Sequence, residues 1–339
     1  MHALSGGKVN NWVEDAAVMG VIEVLKRYSW FKERFREMLG EAVALQPDVL
    51  LLVDYPGFNL RLASELKKRG VKVLYYVCPQ VWAWNRGRIP KMAKIIDRLM
   101  VIFPFEVAVF KDTDLRVDFV GNPLVAQIDE FLAMPRQELP WGSEQRVALL
   151  PGSRKQEILR ILPSILSAAK RLEARFPDVS FMIASPNERI EALVNEQIAL
   201  CTDRPSRLAV VCGHARALMH QADAAMVTSG TATLETALLG TPQIIVYKTS
   251  PATYWFARTV LTIRHIGLVN IVAKRSVCPE LIQQDATPAA MADGIARLLG
   301  DTKERSAMRT GYEEVRQLLG ARNAAENAAE ILLEREGGL

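Results

Sequence analysis

The feature that most constrains the fold is a regular alternation between short apolar runs and longer segments with helical periodicity. An apolar run at residues 49–53 is followed by a helical segment that ends near Gly70, and a second run occupies residues 71–77. Short continuous apolar runs bounded by turn residues are typical of strands that are buried on both faces. The alternation therefore predicts an α/β protein with parallel sheets covered by helices.

The same alternation continues along the chain, with one interruption. A stretch rich in turn residues at 123–140 marks a domain junction, and 339 residues exceed what one hydrophobic core usually organises. We predict an N-terminal domain at residues 1–139 and a C-terminal domain at residues 140–339 that ends in helices. Two Rossmann-like domains that face each other across a cleft form a GT-B-like architecture, with ligands at the carboxyl ends of the strands. Further strands are expected at residues 99–103, 118–120, 147–150, 179–184, 208–212, 225–228 and 243–247.

Composition argues against several functional classes. A formal charge of +4 falls short of the concentrated basic surface of a dedicated nucleic-acid-binding protein, so no nucleic-acid partner is expected. The four cysteines form no Cys-x-x-Cys pair, and the four histidines lie outside recognisable metal-ligand spacings. We expect reduced thiols, no protein-held metal and no cofactor. The apolar runs are too short to span a bilayer, so any membrane contact should be peripheral.

The segment Leu149-Leu150-Pro151-Gly152-Ser153-Arg154 leads from a predicted strand into a predicted helix. Amides at the start of a helix lie at the positive end of its dipole and are suited to an anion. The Arg154 guanidinium can donate two hydrogen bonds to a phosphate group. The pattern predicts phosphate binding at Ser153 and Arg154, and the alternative is a capped helix with a solvated arginine.

A second strand–turn–helix segment contains Ser229, Gly230 and Thr231. Glycine lets the backbone approach a ligand closely, and the hydroxyl groups of Ser229, Thr231 and Thr233 can cap the helix or contact phosphate. Two anion sites in one domain suit a diphosphate. Glu235, one turn into the helix, can accept the hydroxyl groups of a ribose, or it is an ordinary first-turn acid favoured by the dipole.

Asp54 follows the apolar run at residues 49–53, which places it at the expected cleft. A carboxylate there can take a proton from an attacking hydroxyl group. The alternative is a side chain that caps the turn before Pro56. Trp82 and Trp84 form a separate aromatic patch that suits a sugar or a lipid headgroup, unless both are core residues.

These motifs together resemble the lipid-A-disaccharide synthase family. The resemblance covers nearly the whole chain and rests on several long motifs in the family's order. The motifs are Asp54-Tyr55-Pro56-Gly57-Phe58-Asn59, Pro79-Gln80-Val81-Trp82-Ala83-Trp84, Phe103-Pro104-Phe105-Glu106, the turns at residues 149–154 and 229–235, Gly267-Leu268-Val269-Asn270, and Pro279-Glu280-Leu281-Ile282-Gln283.

The resemblance implies an inverting, metal-independent glycosyltransferase of lipid A biosynthesis. It would transfer 2,3-diacylglucosamine from its UDP derivative to the 6-hydroxyl group of 2,3-diacylglucosamine 1-phosphate, giving lipid A disaccharide 1-phosphate and UDP. Asp54 would be the general base, while Arg154 and the amides near Gly230 and Thr231 would stabilise the leaving diphosphate. The implied substrate-binding residues are Ser153, Arg154, Ser229, Gly230, Thr231, Glu235, Asn270 and Gln283.

The resemblance also implies a cytoplasmic protein that is peripheral on the inner face of the inner membrane, because both substrates carry acyl chains. Residues 18–42 are amphipathic, and Trp30 and Phe31 are flanked by basic residues, as in an interfacial helix. The alternative is a surface helix packed on its own sheet. A homodimer is left open.

The chain departs from the family pattern at its start. Family members open with a strand, a Gly/Ser-rich loop, a helix and a second strand before the segment that begins here at Ser5-Gly6-Gly7, so we expect a shortened N-terminal domain. Cys78 stands where serine is frequent, and Val269 precedes Asn270 where proline is usual. The absent first unit supports one alternative, an inactive, N-terminally truncated, membrane-associated UDP-sugar-binding protein. A second alternative is a UDP-sugar epimerase of similar fold, whose phosphate sites would look alike.

Overall fold

The computed structural model describes residues 27–300, 302–320 and 323–334, and its first sheet has four parallel strands in chain order. The strands are β1 (Val49–Val53), β2 (Lys72–Tyr76), β3 (Arg98–Val101) and β4 (Arg116–Phe119). The helices of this region are α1 (Tyr28–Leu45), α2 (Pro56–Lys67) and α3 (Ile89–Ile95), with short 3₁₀ helices at Arg86–Arg88 and Pro104–Phe110.

The second sheet has six parallel strands and is covered by most of the remaining helices. Its strands are β5 (Gln145–Leu150), β6 (Val179–Ser185), β7 (Leu208–Cys212), β8 (Ala224–Thr228), β9 (Gln243–Tyr247) and β10 (Glu280–Ile282). The remaining helices of the chain are α4 (Pro123–Ala133), α5 (Lys155–Arg175), α6 (Glu188–Leu200), α7 (Ala215–Gln221), α8 (Thr231–Leu238), α9 (Pro251–Val260), α10 (Leu268–Ala273), α11 (Pro288–Gly300), α12 (Thr302–Leu319) and α13 (Ala324–Leu333), with a 3₁₀ helix at Gln283–Asp285.

The strand order of the second sheet is β10-β9-β8-β5-β6-β7, so the direction of chain progression reverses between β5 and β8. These two strands are adjacent, and Leu150 at the end of β5 lies opposite Val227 near the end of β8. A crevice opens outside the carboxyl ends of parallel strands at such a point. The turns that the sequence marks as anion sites follow these two strands.

The central strands are buried on both faces, as their unbroken apolar runs predict. Leu149, Met226 and Ile245 have no solvent exposure. The α/β architecture with two facing Rossmann-like domains is confirmed. Strand β2 ends earlier than expected because Val77 adopts a left-handed φ of 68°, and the three-residue strand β10 carried too short a pattern to be foreseen.

The last helix returns to the first sheet. Ile331 and Leu332 of α13 pack against a small buried cluster that contains Leu74 and Met100. The chain thus passes between the sheets twice, before α4 and after α12. The two crossings lie side by side, since the amide of Asn122 donates to the carbonyl oxygen of Leu319 (3.0 Å). The division of the chain at residues 139 and 140 stays a prediction.

Helix α1 packs on its own domain. Its apolar face, which includes Met38 and Leu39, contacts the core of the first sheet, and the rings of Phe35 and Phe58 are 5.6 Å apart. Residues 18–26 of the predicted amphipathic segment lie outside the described residues. No helix in the described ranges is both long enough and apolar enough to cross a bilayer.

Candidate functional site

A cavity of about 740 Å³, here called the cleft cavity, is lined by both domains. The turns after β5 and β8 form one wall, and Gln80, Trp82 and Trp84 from the loop after β2 form the other. The structure therefore brings the two predicted anion sites together in one space. Among the described residues, no three His, Cys, Asp or Glu side chains cluster as metal ligands do.

The turn after β8 presents unpartnered donors to this cavity. The backbone N–H groups of Gly230, Thr231 and Ala232 donate to no described group, and they lie at the start of α8. Gly230 adopts φ 150° and ψ −164°, a conformation open essentially to glycine alone. Thr228 is 4% exposed, and its Oγ1 has no hydrogen-bond partner within the described structure. Donors at a helix start with no internal acceptor are suited to an anionic ligand.

The three hydroxyl groups of this turn have different surroundings. Ser229 Oγ donates to the carbonyl oxygen of Ile266 (2.8 Å), and Thr233 Oγ1 donates to that of Gly230 (2.8 Å). Thr233 is fully buried, whereas Thr231 is exposed at the cavity. Two hydroxyl groups therefore hold the turn, and Thr231 has the one that is best placed for a ligand.

The turn after β5 differs from the sequence-based expectation. Glu157 Oε2 accepts hydrogen bonds from the amides of Ser153 (3.1 Å) and Arg154 (3.3 Å), and Arg154 Nη1 donates to Glu157 Oε1 (3.1 Å). A side-chain carboxylate thus takes the place expected for a ligand phosphate, because the third residue of a helix can reach back to its start. A Cβ atom at Gly152 would overlap this carboxylate. Ligand binding through the Ser153 amide requires Glu157 to move.

Glu235 lines the cleft cavity with a partner that the sequence did not reveal. Its Oε1 accepts from Arg216 Nε (3.1 Å) and Nη2 (3.0 Å), and Arg216 Nη2 also donates to Gln127 Oε1 (2.7 Å) in α4. These bonds use only one carboxylate oxygen. The two bonds from Arg216 fix the position of Glu235, and its Oε2 can still accept a hydrogen bond from a ligand hydroxyl group.

Asn270 does not line the cleft cavity. Its side chain is fully buried, where Oδ1 accepts from the amides of Val277 (2.7 Å) and Cys278 (2.9 Å) and Nδ2 donates to Glu280 Oε1 (2.8 Å). Glu280 in turn accepts from the amide of Ile266, a residue of the cavity wall. Asn270 therefore lies behind the wall of the cleft cavity and is connected to it through Glu280.

Gln283 also lies away from the cleft cavity. Its Oε1 accepts from the amide of Thr249 (2.7 Å). Together with Lys248, Tyr254 and Arg258 it lines a separate cavity of about 570 Å³, here called the α9 cavity. Gln283 and the turns after β5 and β8 are thus not brought together.

Asp54 lines an adjoining cavity of about 510 Å³, which shares Thr231 with the cleft cavity. Asp54 and Tyr55 have consecutive left-handed φ values of 47° and 48°. Asn59 Nδ2 holds this turn by donating to the carbonyl oxygens of Val53 (3.1 Å) and Asp54 (2.8 Å). The Asp54 carboxylate is exposed and has no hydrogen bond or ion pair with a described residue. Asn59, rather than Asp54, secures the turn, which leaves the carboxylate available to a substrate.

Glu106 is a further residue of this adjoining cavity, and the sequence reasoning gave it no role. Burial raises its pKa to about 7. Oε1 accepts from Trp82 Nε1 (2.9 Å), and Oε2 accepts from the amide of Phe103 (3.0 Å). Glu106 therefore fixes the buried Trp82, while Trp84 remains 44% exposed. The available signal was its position three residues after Phe103, where an acid can bond back to a helix start.

The raised pKa of Glu106 predicts a specific pH dependence of stability. The folded protein holds the proton of the Glu106 carboxyl group more tightly than the unfolded chain does. The stabilising effect of this protonation is therefore full below about pH 4.5 and is lost as the pH rises through about 7. Between pH 5 and pH 8 the free energy of unfolding should fall by roughly 2 to 3 kcal/mol more in the parent than in Glu106→Gln. Urea unfolding at both pH values measures this. Glu144→Gln, which changes an exposed acid, should keep the parent's pH dependence. If the free energy of unfolding changes equally between pH 5 and pH 8 in all three proteins, the raised pKa of Glu106 is contradicted.

The family model for lipid-A-disaccharide synthetase matches residues 1–334 of the chain. The chain belongs to the lipid-A-disaccharide synthase family. It is 40% identical to the lipid-A-disaccharide synthase of Syntrophus aciditrophicus, over 96% of this chain and 86% of that protein. It is 39% identical to the enzyme of that name from Trichlorobacter lovleyi, over 94% of this chain and 83% of that protein. The resemblance read from the motifs is confirmed.

Solved structures share the fold of the family at low sequence identity. The UDP-GlcNAc 2-epimerase of Neisseria meningitidis bound to UDP-GlcNAc superposes with a TM-score of 0.64 at 12% identity, covering 94% of this chain and 84% of that one. The trehalose-6-phosphate synthase OtsA gives a TM-score of 0.56 at 12% identity, covering 90% and 76%. These similarities show the two-domain fold alone.

Proposed function

We propose that the chain is a glycosyltransferase that joins UDP-2,3-diacylglucosamine to 2,3-diacylglucosamine 1-phosphate. The products are lipid A disaccharide 1-phosphate and UDP. The observation that carries the proposal is the pair of adjoining cavities: unpartnered donors after β8 line one, Asp54 lines the other, and Thr231 is common to both. Family membership supplies the identity of the substrates.

The donor's diphosphate would bind at the start of α8. The free N–H groups of Gly230 and Thr231 lie at the positive end of the helix dipole, and the Arg154 side chain, 59% exposed, can turn towards the same space. Glu235 would accept the ribose hydroxyl groups through the oxygen that Arg216 leaves free. Ser229 supports the turn through its bond to Ile266, and Ser153 contributes its amide once Glu157 moves.

Asp54 would act as the general base on the acceptor. Its carboxylate takes the proton of the attacking 6-hydroxyl group while that oxygen forms a bond to the anomeric carbon. The bond from this carbon to the diphosphate oxygen breaks on the opposite face, and its electron pair leaves with UDP. Attack opposite the leaving group inverts the anomeric centre. The donors near Gly230 and Arg154 stabilise the charge that develops on the diphosphate.

Asn270 and Gln283 would act on substrate binding indirectly. Asn270 and Gly267 both donate to Glu280 Oε1, and this arrangement supports the wall near Ile266. Gln283, the first residue of the 3₁₀ helix, accepts a hydrogen bond from the amide of Thr249, which lies two residues before α9. We propose that both residues shape the donor side of the cleft without contacting the nucleotide.

A transfer assay with the purified chain tests the proposal. Incubation with both acylated substrates and EDTA should yield the disaccharide and an equal amount of UDP, and calorimetry should detect UDP binding. UDP binding without product would support the inactive binding protein, and conversion of a UDP-sugar to its epimer without transfer would support the epimerase. A chain that does not bind UDP, or that needs a divalent cation to do so, would refute the proposal.

We also propose that the chain works on the inner face of the inner membrane as a peripheral protein. The acyl chains of both substrates support this location, and helix α1, in which Lys32 follows Trp30 and Phe31, is compatible with it. A homodimer stays a prediction, which sedimentation velocity of the purified chain would test.

A further inference from the structure

Helix α9 exposes large apolar side chains that its own domain does not use. Trp255 is 64% exposed, Phe256 is 68% exposed and Val260 is 37% exposed, and none of the residues of the helix is buried. Single exposed apolar residues are common on soluble proteins, but adjacent large aromatic residues on one short helix mark an interaction surface.

The chain segment that contains α9 has several basic residues and no acidic residue. Between Glu235 and Glu280 the sequence contains no Asp or Glu and five basic residues, of which Arg275 forms an ion pair with Glu314; the other four are Lys248, Arg258, Arg264 and Lys274. The Arg258 guanidinium lies 5.9 Å from the ring centroids of both Tyr254 and Trp255. In the described structure, neither Arg258 nor Lys248 forms an ion pair with a carboxylate. The exposed aromatic residues therefore lie near two basic side chains that have no acidic partner among the described residues.

The α9 cavity lies between these cations and the aromatic rings. It has a volume of about 570 Å³ and is lined by Lys248, Tyr254, Trp255, Arg258 and Gln283, among others. Lys248 Nζ is held in place by a hydrogen bond to Ser164 Oγ (2.6 Å). Cationic and amide donors beside an aromatic wall suit a phosphate group that is attached to an apolar chain.

The same segment leads directly into the cleft. Leu261 and Ile263, which follow α9, line the cleft cavity. Between them, Thr262 donates through its amide to the carbonyl oxygen of Ala83 (3.0 Å) and through Oγ1 to that of Trp82 (3.0 Å). Only a few residues therefore connect the exposed helix α9 to the two walls of the cleft cavity.

We propose that α9 docks the C-terminal domain on the surface of an anionic phospholipid bilayer. Trp255 and Phe256 enter the interfacial region, and Arg258 and Lys248 contact headgroup phosphates at the α9 cavity. The inference rests on the proposed function, since docking is useful to an enzyme whose acylated substrates lie in the bilayer. Docking through α9 places the mouth of the cleft beside that bilayer. It assigns a membrane contact to the C-terminal domain, on a helix distinct from α1.

Co-sedimentation of the chain with vesicles tests this surface. Vesicles of phosphatidylcholine alone are compared with vesicles that contain phosphatidylglycerol as well. The double variant Trp255→Ala/Phe256→Ala should bind the anionic vesicles at least about tenfold more weakly than the parent. Arg258→Gln should bind them about fivefold more weakly, as expected for one lost surface cation. Leu200→Ala, which removes a 71% exposed side chain on α6 of the same domain, should bind like the parent.

Two outcomes would overturn the docking surface. One is parental vesicle binding by the double variant, and the other is equal affinity of the parent for neutral and anionic vesicles. UDP calorimetry and transfer in detergent micelles separate this inference from the proposed function. Retained UDP binding and micellar transfer with lost vesicle binding support α9 docking. If the double variant binds vesicles like the parent and still transfers, α9 docking is refuted and the proposed function is not. A parent that neither binds UDP nor transfers refutes the proposed function.

Discussion

Replacement of Asp54 by asparagine should lower the rate of disaccharide formation about a thousandfold while UDP affinity stays unchanged. Asparagine cannot take the proton of the attacking hydroxyl group, and positioned general bases contribute about 10²- to 10⁴-fold to a rate. The turn itself should persist, since Asn59 and the backbone of β1 hold it without the Asp54 side chain. Transfer assays and UDP calorimetry on the same preparation measure both quantities.

Asp112→Asn is the matched control for this variant. Asp112 is an exposed aspartate of the first domain that lies outside the residues lining both cavities, and its replacement makes the same change in charge. It should leave transfer unchanged. A parental rate for Asp54→Asn would remove Asp54 from the mechanism, and loss of UDP binding in that variant would show that the carboxylate acts on the structure of the cleft instead.

Arg154→Ala should weaken UDP binding by on the order of 1.5 to 3 kcal/mol, the range for hydrogen bonds that involve charged groups. The affinity should therefore fall about 13- to 160-fold. The loss arises because the diphosphate loses a guanidinium donor at the turn after β5, where the amides already bond to Glu157. Calorimetry at 0.15 M salt measures the dissociation constant under conditions that screen distant charges.

Arg160→Ala provides the comparison, because Arg160 is an exposed arginine of α5, the helix that Arg154 directly precedes, and it does not line the cleft cavity. The two variants lose the same formal charge, so a difference between them reports on the site. If both variants bind UDP within twofold of the parent, Arg154 is a solvated residue that contributes only its ion pair with Glu157.

The arrangement of the candidate site in the C-terminal domain was largely predictable from the sequence. Unbroken apolar runs indicate buried parallel strands, and the glycine and hydroxyl residues after β8 mark a tight turn into a helix. Because the carboxyl ends of parallel strands share one edge, the turns at Ser153 and Gly230 could be placed together without knowledge of their contacts.

What could not be predicted is the direction in which individual side chains point. The sequence places Glu157 in the first turn of α5, but spacing alone does not tell whether its carboxylate faces solvent or bonds back to the amides of Ser153 and Arg154. The orientation of the Asn270 side chain could not be predicted either. Its partners lie on a loop seven and eight residues later, and tertiary packing sets the conformation of that loop. Gln283 meets Thr249 across 34 residues, through a strand too short to be recognised.

The hydrogen bond between Asn122 and Leu319 marks the point about which we expect the cleft to open. This bond keeps the start of α4 and the end of α12 together, so we expect the sheets to rotate about an axis through this point, as in a hinge motion. In such a motion, groups far from the axis travel furthest. The bonds from Thr262 to the carbonyl oxygens of Trp82 and Ala83 join the two walls of the cleft cavity, so these bonds would have to break before the walls could separate.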